Sequence, residues 1–223
     1  MIRKMSTAAL EEVLAFMRDM EAQPLHVSHV TTLALQLFDQ LGALHGMGMR
    51  ERFLLEAAGY LHDIGHRFDH LETGHHKESA RMIREHPWKN FSPLEADLIA
   101  QVARYHRKSP PRLKHEEFAR LSTPDRLLVQ RLSALLRIAD ALDRSHEQHI
   151  ARVTVDLLPD KLILHLESAG PVLLEVITAR FKGDVAREVF QRELVFVFGG
   201  EVVEPGKYGI TINVRQPGPG GTS

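Results

Sequence analysis

Cysteine is missing from the 223 residues of the sequence, which excludes thiolate catalysis, zinc fingers, iron–sulfur clusters and disulfide frameworks. A charge excess is missing too. The formal net charge is −1, so no overall basic field attracts nucleic acid or a membrane surface. No segment approaches the ~18 continuous apolar residues of a membrane span, and acidic residues interrupt the N-terminal segment before a signal-peptide core forms. We therefore expect a cytoplasmic protein without membrane or specific nucleic-acid partners.

The first two-thirds of the sequence carries apolar residues at helical spacing. Hydrophobic residues make up 43% and charged residues 26% of the chain, near the globular averages, and this length can bury a sizeable core without disulfides. The predicted helices cover approximately residues 7–17, 25–44, 51–62, 75–85, 93–106 and 123–147, the last as one long helix or a helix pair.

The pattern changes near residue 151, where apolar and polar residues begin to alternate. Segments 151–157 and 161–167 alternate around a Leu-Pro-Asp turn and predict a β-hairpin. Helical patterns follow, and then two further strand patterns, in the order 171–181, 184–190, 192–198 and 207–214. We predict a mainly α fold with a helical domain over 1–150, a small α+β extension over 151–215 that packs on it, and a disordered tail over 216–223.

Histidine is abundant, with 14 copies, and several copies lie on the apolar faces of predicted helices. His26 precedes Val30 by four positions and Leu33 by seven, so it shares their buried face. The same kind of spacing places three further histidines inward, together with two aspartates. The six groups are His26, His62, Asp63, His76, His106 and Asp140.

Two neighbouring histidines are alternatives to members of this set. His29 lies one helical turn after His26 and also has inward spacing. His75 precedes His76 directly and is one position off the apolar stripe. Spacing alone leaves both choices open.

The two inward aspartates need positive partners, because an unpaired buried carboxylate costs several kcal/mol. The sequence shows no obvious inward lysine or arginine that pairs with both. One or two divalent cations would neutralise the aspartates and take the imidazoles as ligands. A nitrogen and oxygen ligand set without sulfur suits Mn²⁺, Fe²⁺, Zn²⁺ or Ni²⁺, with Mg²⁺ at an oxygen-rich position. The sequence therefore predicts a buried centre for divalent metal ions.

The order of these residues resembles a known signature. His26, the pair His62-Asp63 in AAGYLHDIG, and Asp140 in RIADALDRS resemble the H…HD…D signature of the HD phosphohydrolase superfamily. The segments HVSHVTTLALQLFDQL, HHKESARMI, IAQVARYHRKSPP and ALLRIADALDRSH further resemble the HD-type C-terminal region of the exopolyphosphatase/guanosine pentaphosphate phosphatase family. This resemblance extends over approximately residues 7–198.

The resemblance implies an HD-type helical bundle and a metal centre with two ions. His76 and His106 match the two extra histidines of two-metal members, and the family register favours His26 over His29. In this assignment Asp63 bridges the ions. One ion is held by His26, His62 and Asp140, and the other by His76 and His106.

The sequence departs from these families in two ways. In the exopolyphosphatase family an actin-like pair of domains carries the phosphatase site, and this sequence contains neither such domains nor a Gly-rich phosphate loop. Many superfamily enzymes have a lysine soon after the HD pair, whereas here Ile64, Gly65 and His66 follow. The resemblance thus implies the fold and the ligand set and leaves the substrate open.

Basic residues near the predicted ligands are candidates for phosphate binding. A run from residue 104 to 114 includes Arg107 and Lys108 and brackets His106. Lys77 is adjacent to His76, and Arg144 lies one turn after Asp140, where it either pairs with that aspartate or binds phosphate. With Asp63, the catalytic candidates are therefore Lys77, Arg107, Lys108 and Arg144.

The combined pattern predicts metal-dependent hydrolysis of a phosphate ester or anhydride in a phosphorylated small molecule, such as a nucleotide or polyphosphate. The alternative is a non-catalytic regulatory module that binds a nucleotide or polyphosphate. The sequence is compatible with a homo-oligomer.

Overall fold

The computed structural model describes residues 2–21, 23–68, 74–204 and 206. Helices dominate as far as residue 141, and a small sheet with two further helices follows. The mainly α fold with a small α+β extension is therefore confirmed. The helices are α1 (Ile2–Met20), α2 (Pro24–Gln40), α3 (Gly42–His45), α4 (Met49–Leu61), α5 (His75–Glu85), α6 (Pro93–Arg104), α7 (Glu116–Ala119), α8 (Thr123–Ala141), α9 (Leu173–Lys182) and α10 (Asp184–Phe190).

Local capping fixes the start of α6. The Ser92 hydroxyl accepts a hydrogen bond from the Glu95 backbone N–H at 3.3 Å, and the Glu95 carboxylate accepts one from the Ser92 backbone N–H at 3.0 Å. Pro93 occupies the first helical position, where its missing N–H is not needed. This capping box supports the boundary that the sequence predicts.

Helix α8 ends at Ala141, six residues before the predicted end at 147. The Asp143 carboxylate accepts a hydrogen bond from the Gln148 backbone N–H at 2.8 Å. His146 and Gln148 both adopt a positive φ, which a helix does not allow. The chain therefore turns back toward the first strand immediately after α8.

The sheet contains four strands in the order β1-β2-β3-β4, with β1 at Ile150–Leu157, β2 at Lys161–Ser168, β3 at Glu193–Phe198 and β4 at Glu201–Val202. Strands β1 and β2 form the predicted antiparallel hairpin. Strand β3 pairs in parallel with β2, because α9 and α10 form the crossover between them. Side chains of α2 cover the outer edge of β1: Gln36 accepts from the Val153 backbone N–H, and Gln40 donates to the Val153 carbonyl.

The hydrophobic core is continuous from α1 to the residue after β4. Helix α8 lies at its centre and contacts α2, α4, α6, α9 and α10, while β1 packs on α2.

The division into domains at residue 150 stays a prediction, and the predicted strand 207–214 and tail 216–223 lie outside the described residues. In the part of the chain that the structure describes, no helix is long and apolar enough to cross a membrane.

Candidate metal centre

The predicted ligands come from the ends of several helices. His26 lies in the first turn of α2, His62 and Asp63 directly follow α4, and His106 follows α6. Asp140 lies in the last turn of α8. The three histidines and Asp140 are at most 8% exposed, and the Asp63 side chain is 13% exposed. The helices thus bring these five residues into one buried cluster.

Two groups of ligand atoms in this cluster have metal-binding spacing. His26, His62 and Asp140 each offer one atom, and the three atoms lie within 4.8 Å of one another. His62, Asp63 and His106 form a second group of the same kind. The groups share His62, so they are neighbours.

Asp63 directs its two oxygens to different partners. Its Oδ1 lies 3.4 Å from the His106 Nε2 atom. Its Oδ2 lies 3.7 Å from the His62 Nε2 atom and 3.9 Å from the His26 Nε2 atom. A carboxylate in this position can contribute one oxygen to each of two cations.

Backbone carbonyls fix the protonation of two histidines. His62 Nδ1 donates to the Gly59 carbonyl and His106 Nδ1 donates to the Ala103 carbonyl, both at 2.7 Å. A carbonyl oxygen only accepts, so the proton of each neutral ring resides on Nδ1 and the lone pair on Nε2. The Nε2 atoms are the ones that face the aspartates, which is the arrangement of a metal-ligating histidine.

Orphaned polar atoms test whether this cluster fits a cation. His26 Nε2, His62 Nε2 and Asp63 Oδ1 are buried and have no hydrogen-bond partner among the described residues. Buried polar atoms in native proteins almost always have a hydrogen-bond partner, because each one left without a partner costs about 1–3 kcal/mol of stability. A divalent cation would satisfy all three, so the residues present fit such a group.

The charges of the cluster interact strongly. Burial raises the pKa of Asp63, but the His62 and His106 side chains outweigh burial and lower it to about 2. Burial lowers the pKa of His26, but Asp140 and Asp143 outweigh burial and raise it to about 9. Burial holds the pKa of His106 well below its ordinary value. The aspartates are thus ionised and His106 is neutral, as metal ligands must be, whereas His26 carries a proton that a bound cation would displace.

The structure adds Asp143, which sequence reasoning missed. Its Oδ2 lies 2.8 Å from His26 Nδ1, and the carboxylate is fully buried. It orients the His26 ring and directs Nε2 toward Asp140. Asp143 is three positions after Asp140, a spacing that brings two residues close on a helix face, so a signal for it was present.

Lys182 corrects an assumption of the sequence argument. Its ammonium hydrogen-bonds the Asp140 Oδ2 atom, so an inward basic partner does exist for one aspartate. This charge helps to hold the pKa of Asp140 well below its ordinary value against the opposing effect of burial. Nothing in the local pattern of 173–182 signals the contact, since it joins residues 42 positions apart.

The structure separates the two alternatives on α5. His75 Nε2 lies 3.4 Å from Asp63 Oδ1, and Arg107 donates to the His75 ring at 2.8 Å. His76 is equally buried, but its Nδ1 atom has no hydrogen-bond partner in the described part of the chain. Burial is the main cause that lowers the pKa of each histidine to about 4. Neither belongs to the two ligand groups above, and His75 is the one in contact with Asp63.

His29 lies beside the cluster and outside both ligand groups. Burial lowers its pKa, opposed by Asp143 and by a hydrogen bond with the Ile150 backbone. Its environment is therefore the junction of α2 with β1, while His26 faces Asp140.

The basic candidates are placed differently from one another. Arg107 reaches the cluster through His75. Lys77, Lys108 and Arg144 are exposed at the surface, and Asp140 pairs with Lys182 and not with Arg144. Within the predicted basic run, two other arginines form ion pairs away from the cluster: Arg104 with Glu117 and Arg112 with Glu188.

A family model described as Ppx/GppA phosphatase, domain III, matches residues 2–177. The match covers most of the chain and ends inside α9. It confirms the resemblance to the C-terminal region of the exopolyphosphatase/guanosine pentaphosphate phosphatase family. No curated protein matches the chain significantly.

Proposed function

Because the chain belongs to the family of the Ppx/GppA phosphatase domain III, we propose that it is an HD-type, metal-dependent phosphohydrolase. The proposed substrate is a phosphate ester or anhydride in a small molecule, with nucleotides and polyphosphate as the first candidates. The observation that carries this proposal is the buried cluster of aspartates and histidines whose inward atoms lack hydrogen-bond partners among the described residues.

Two divalent cations fit the two neighbouring ligand groups. His26, His62 and Asp140 would hold one, and Asp63 with His106 would hold the other. Asp63 would contribute to both, because its two oxygens have different neighbours. His75 is the further candidate on the Asp63 side, in place of His76. When bound, such cations lower the pKa of a coordinated water and polarise a phosphoryl oxygen.

The protein's own residues have two tasks in this proposal. The carbonyls of Gly59 and Ala103 keep the His62 and His106 rings in the ligating orientation. Arg107, the basic candidate that contacts the cluster, would bind the phosphate. Lys77, Lys108 and Arg144 would attract the anionic substrate from the surface.

The test is hydrolysis by the purified full chain supplied with Mn²⁺, assayed with nucleoside phosphates, cyclic nucleotides and polyphosphate. We expect phosphate release from at least one substrate. Asp63→Asn should reduce the rate of hydrolysis at least about 1,000-fold. The variant would lose several kcal/mol of transition-state stabilisation by the metal ions, and each ~1.4 kcal/mol of activation free energy changes the rate tenfold.

Asp156→Asn is the matched control. Asp156 also accepts a hydrogen bond from a histidine, His165, at 2.8 Å, but this pair is exposed on the sheet. We expect this variant to retain the wild-type rate. Wild-type protein that binds Mn²⁺ and phosphate but releases none from any substrate would favour the non-catalytic binding module instead.

A further inference from the structure

Asp140 divides its two oxygens between the cluster and the C-terminal extension. Its Oδ1 lies 3.5 Å from the His26 Nε2 atom and 3.9 Å from the His62 Nε2 atom. Its Oδ2 accepts a hydrogen bond from the Lys182 ammonium. A cation held by the Oδ1 side can therefore bind without displacing Lys182.

The backbone that carries Lys182 is firmly anchored. Lys182 is the last residue of α9. Arg137, a buried residue of α8, donates to the Lys182 carbonyl at 3.0 Å and to the Asp184 carboxylate at 2.9 Å. The same guanidinium donates to the carbonyls of Tyr105 and Lys108, on both sides of His106 and Arg107. Arg137 thus holds the end of α9 against the segment that supplies a ligand.

The Lys182 ammonium has capacity left for another partner. It offers three N–H donors, and Asp140 is its hydrogen-bond partner among the described residues. Its side chain is 18% exposed, whereas that of Asp140 is 10% exposed. Lys182 is therefore the more exposed partner of this ion pair, and its remaining N–H donors can serve an anion that approaches the cluster.

The charge balance around the cluster favours an anion there. Two carboxylates, those of Asp63 and Asp140, would contact the two proposed divalent cations, and a third, that of Asp143, lies behind His26. The four positive charges of the cations would exceed these three negative charges before any basic residue is counted. Lys182 adds a positive charge near Asp140, and Arg107 adds one near Asp63 through His75. A phosphoryl group between these two basic residues would meet positive charge at both ends.

We propose that Lys182 is a substrate-binding residue of the metal centre, which holds Asp140 with one N–H and a phosphoryl oxygen with another. The inference rests on the proposed phosphohydrolase function and extends it, because the phosphate site then includes α9 of the extension. Lys182 lies outside the residues that the family model matches.

The experiment measures the binding of inorganic phosphate to Mn²⁺-loaded full-length protein by titration calorimetry, after the Mn²⁺ content of each variant has been determined. Lys182→Gln should keep the wild-type Mn²⁺ content and raise the phosphate dissociation constant about 10- to 100-fold, since a hydrogen bond to a charged group is lost. Lys182→Arg keeps the charge and should restore most of the affinity. Lys161→Gln, the same change at an exposed lysine of β2, should bind phosphate like wild type.

Three results separate the possibilities. A phosphate dissociation constant within twofold of wild type in Lys182→Gln, at normal Mn²⁺ content, would overturn the inference and leave the proposed function intact. A loss of Mn²⁺ from Lys182→Gln would also overturn it, since Lys182 would then act only as the partner of Asp140. Absence of Mn²⁺ from the wild-type protein would contradict the proposed function itself, before any variant is compared.

Discussion

The two sides of the metal centre are held in place by different kinds of contact. On the Asp63 side, His106 donates to the carbonyl of Ala103, only three residues earlier in the chain. On the Asp140 side, His26 depends on Asp143, 117 positions away, and Asp140 depends on Lys182. The first arrangement forms with the local helix ends, whereas the second requires the completed fold. The Asp140 side should therefore respond to substitutions far from it in sequence.

The pH dependence of stability should distinguish the two sides in metal-free protein. The pKa of folded His26, on the Asp140 side, is about 9, above its ordinary 6.5. The contribution of protonated His26 to the free energy of unfolding is therefore complete below pH 6.5 and is lost as the pH rises through 9. The pKa of folded His75, on the Asp63 side, is about 4. As the pH falls, His75 takes up a proton in the unfolded chain near pH 6.5 but in the folded chain only near pH 4. The free energy of unfolding therefore falls as the pH drops from 6.5 to 4.

The alkaline slope should correspond to on the order of 3 kcal/mol. The acid slope should be larger, because the pKa values of His76 and His106 are lowered as well as that of His75, and stability should be maximal near pH 6.5. The measurement is urea unfolding between pH 4 and 9.5 in the presence of a chelator. His26→Gln should remove the alkaline slope, and His75→Gln should reduce the acid slope. An alkaline slope that persists in His26→Gln would show that the Asp140 side is not organised by a charged histidine.

The Asp140 side can be weakened through Asp143 without changing a ligand. Asp143→Asn keeps the size of the side chain but removes the charge that orients His26. Loss of such a supporting carboxylate typically costs 10- to 100-fold in metal affinity. We expect that loss for the Mn²⁺ on the Asp140 side, held by His26, His62 and Asp140, measured by competition with a fluorescent chelator. Asp184→Asn, at a half-exposed aspartate that pairs with Arg137, is the control for loss of an aspartate ion pair that does not contact a proposed ligand. Equal effects of both changes would count against the role given to Asp143.

Substitution of the two adjacent histidines of α5 tests which of them supports the Asp63 side. His75 contacts Asp63 and Arg107, so His75→Gln should lower hydrolysis about tenfold, the effect expected for a ligand-supporting contact. His76→Gln should change it less than threefold. Steady-state rates with saturating Mn²⁺ decide between them. The opposite order would restore His76 as the ligand that the family register predicts.

Elements with strong local signals could be predicted closely. Helices α5 and α10 begin and end at the residues expected, and the Ser92 capping box marks the start of α6. Helix α8 is shorter than predicted, because the Asp143 side chain and two left-handed residues turn the chain back. The four-residue helices α3 and α7 and the two-residue strand β4 are too short to produce a periodic pattern.

The site residues likewise divide into those that a local sequence pattern predicts and those that depend on tertiary packing. The face of each helix was enough to predict that His26, His62, His106 and Asp140 point inward. It was not enough to choose between His75 and His76, which are adjacent on α5 and both buried. The contact of Lys182 with Asp140 depends on how α9 packs on α8, and no local pattern encodes that packing.

The central claim is that the buried cluster binds two divalent cations in one chain. The most direct test is elemental analysis of protein purified without chelator and of protein reconstituted with Mn²⁺ or Fe²⁺. The account predicts a stoichiometry of about two ions per chain, one held by His26, His62 and Asp140 and the other by Asp63 and His106. A stoichiometry of one ion, or near zero, under all these conditions would contradict it.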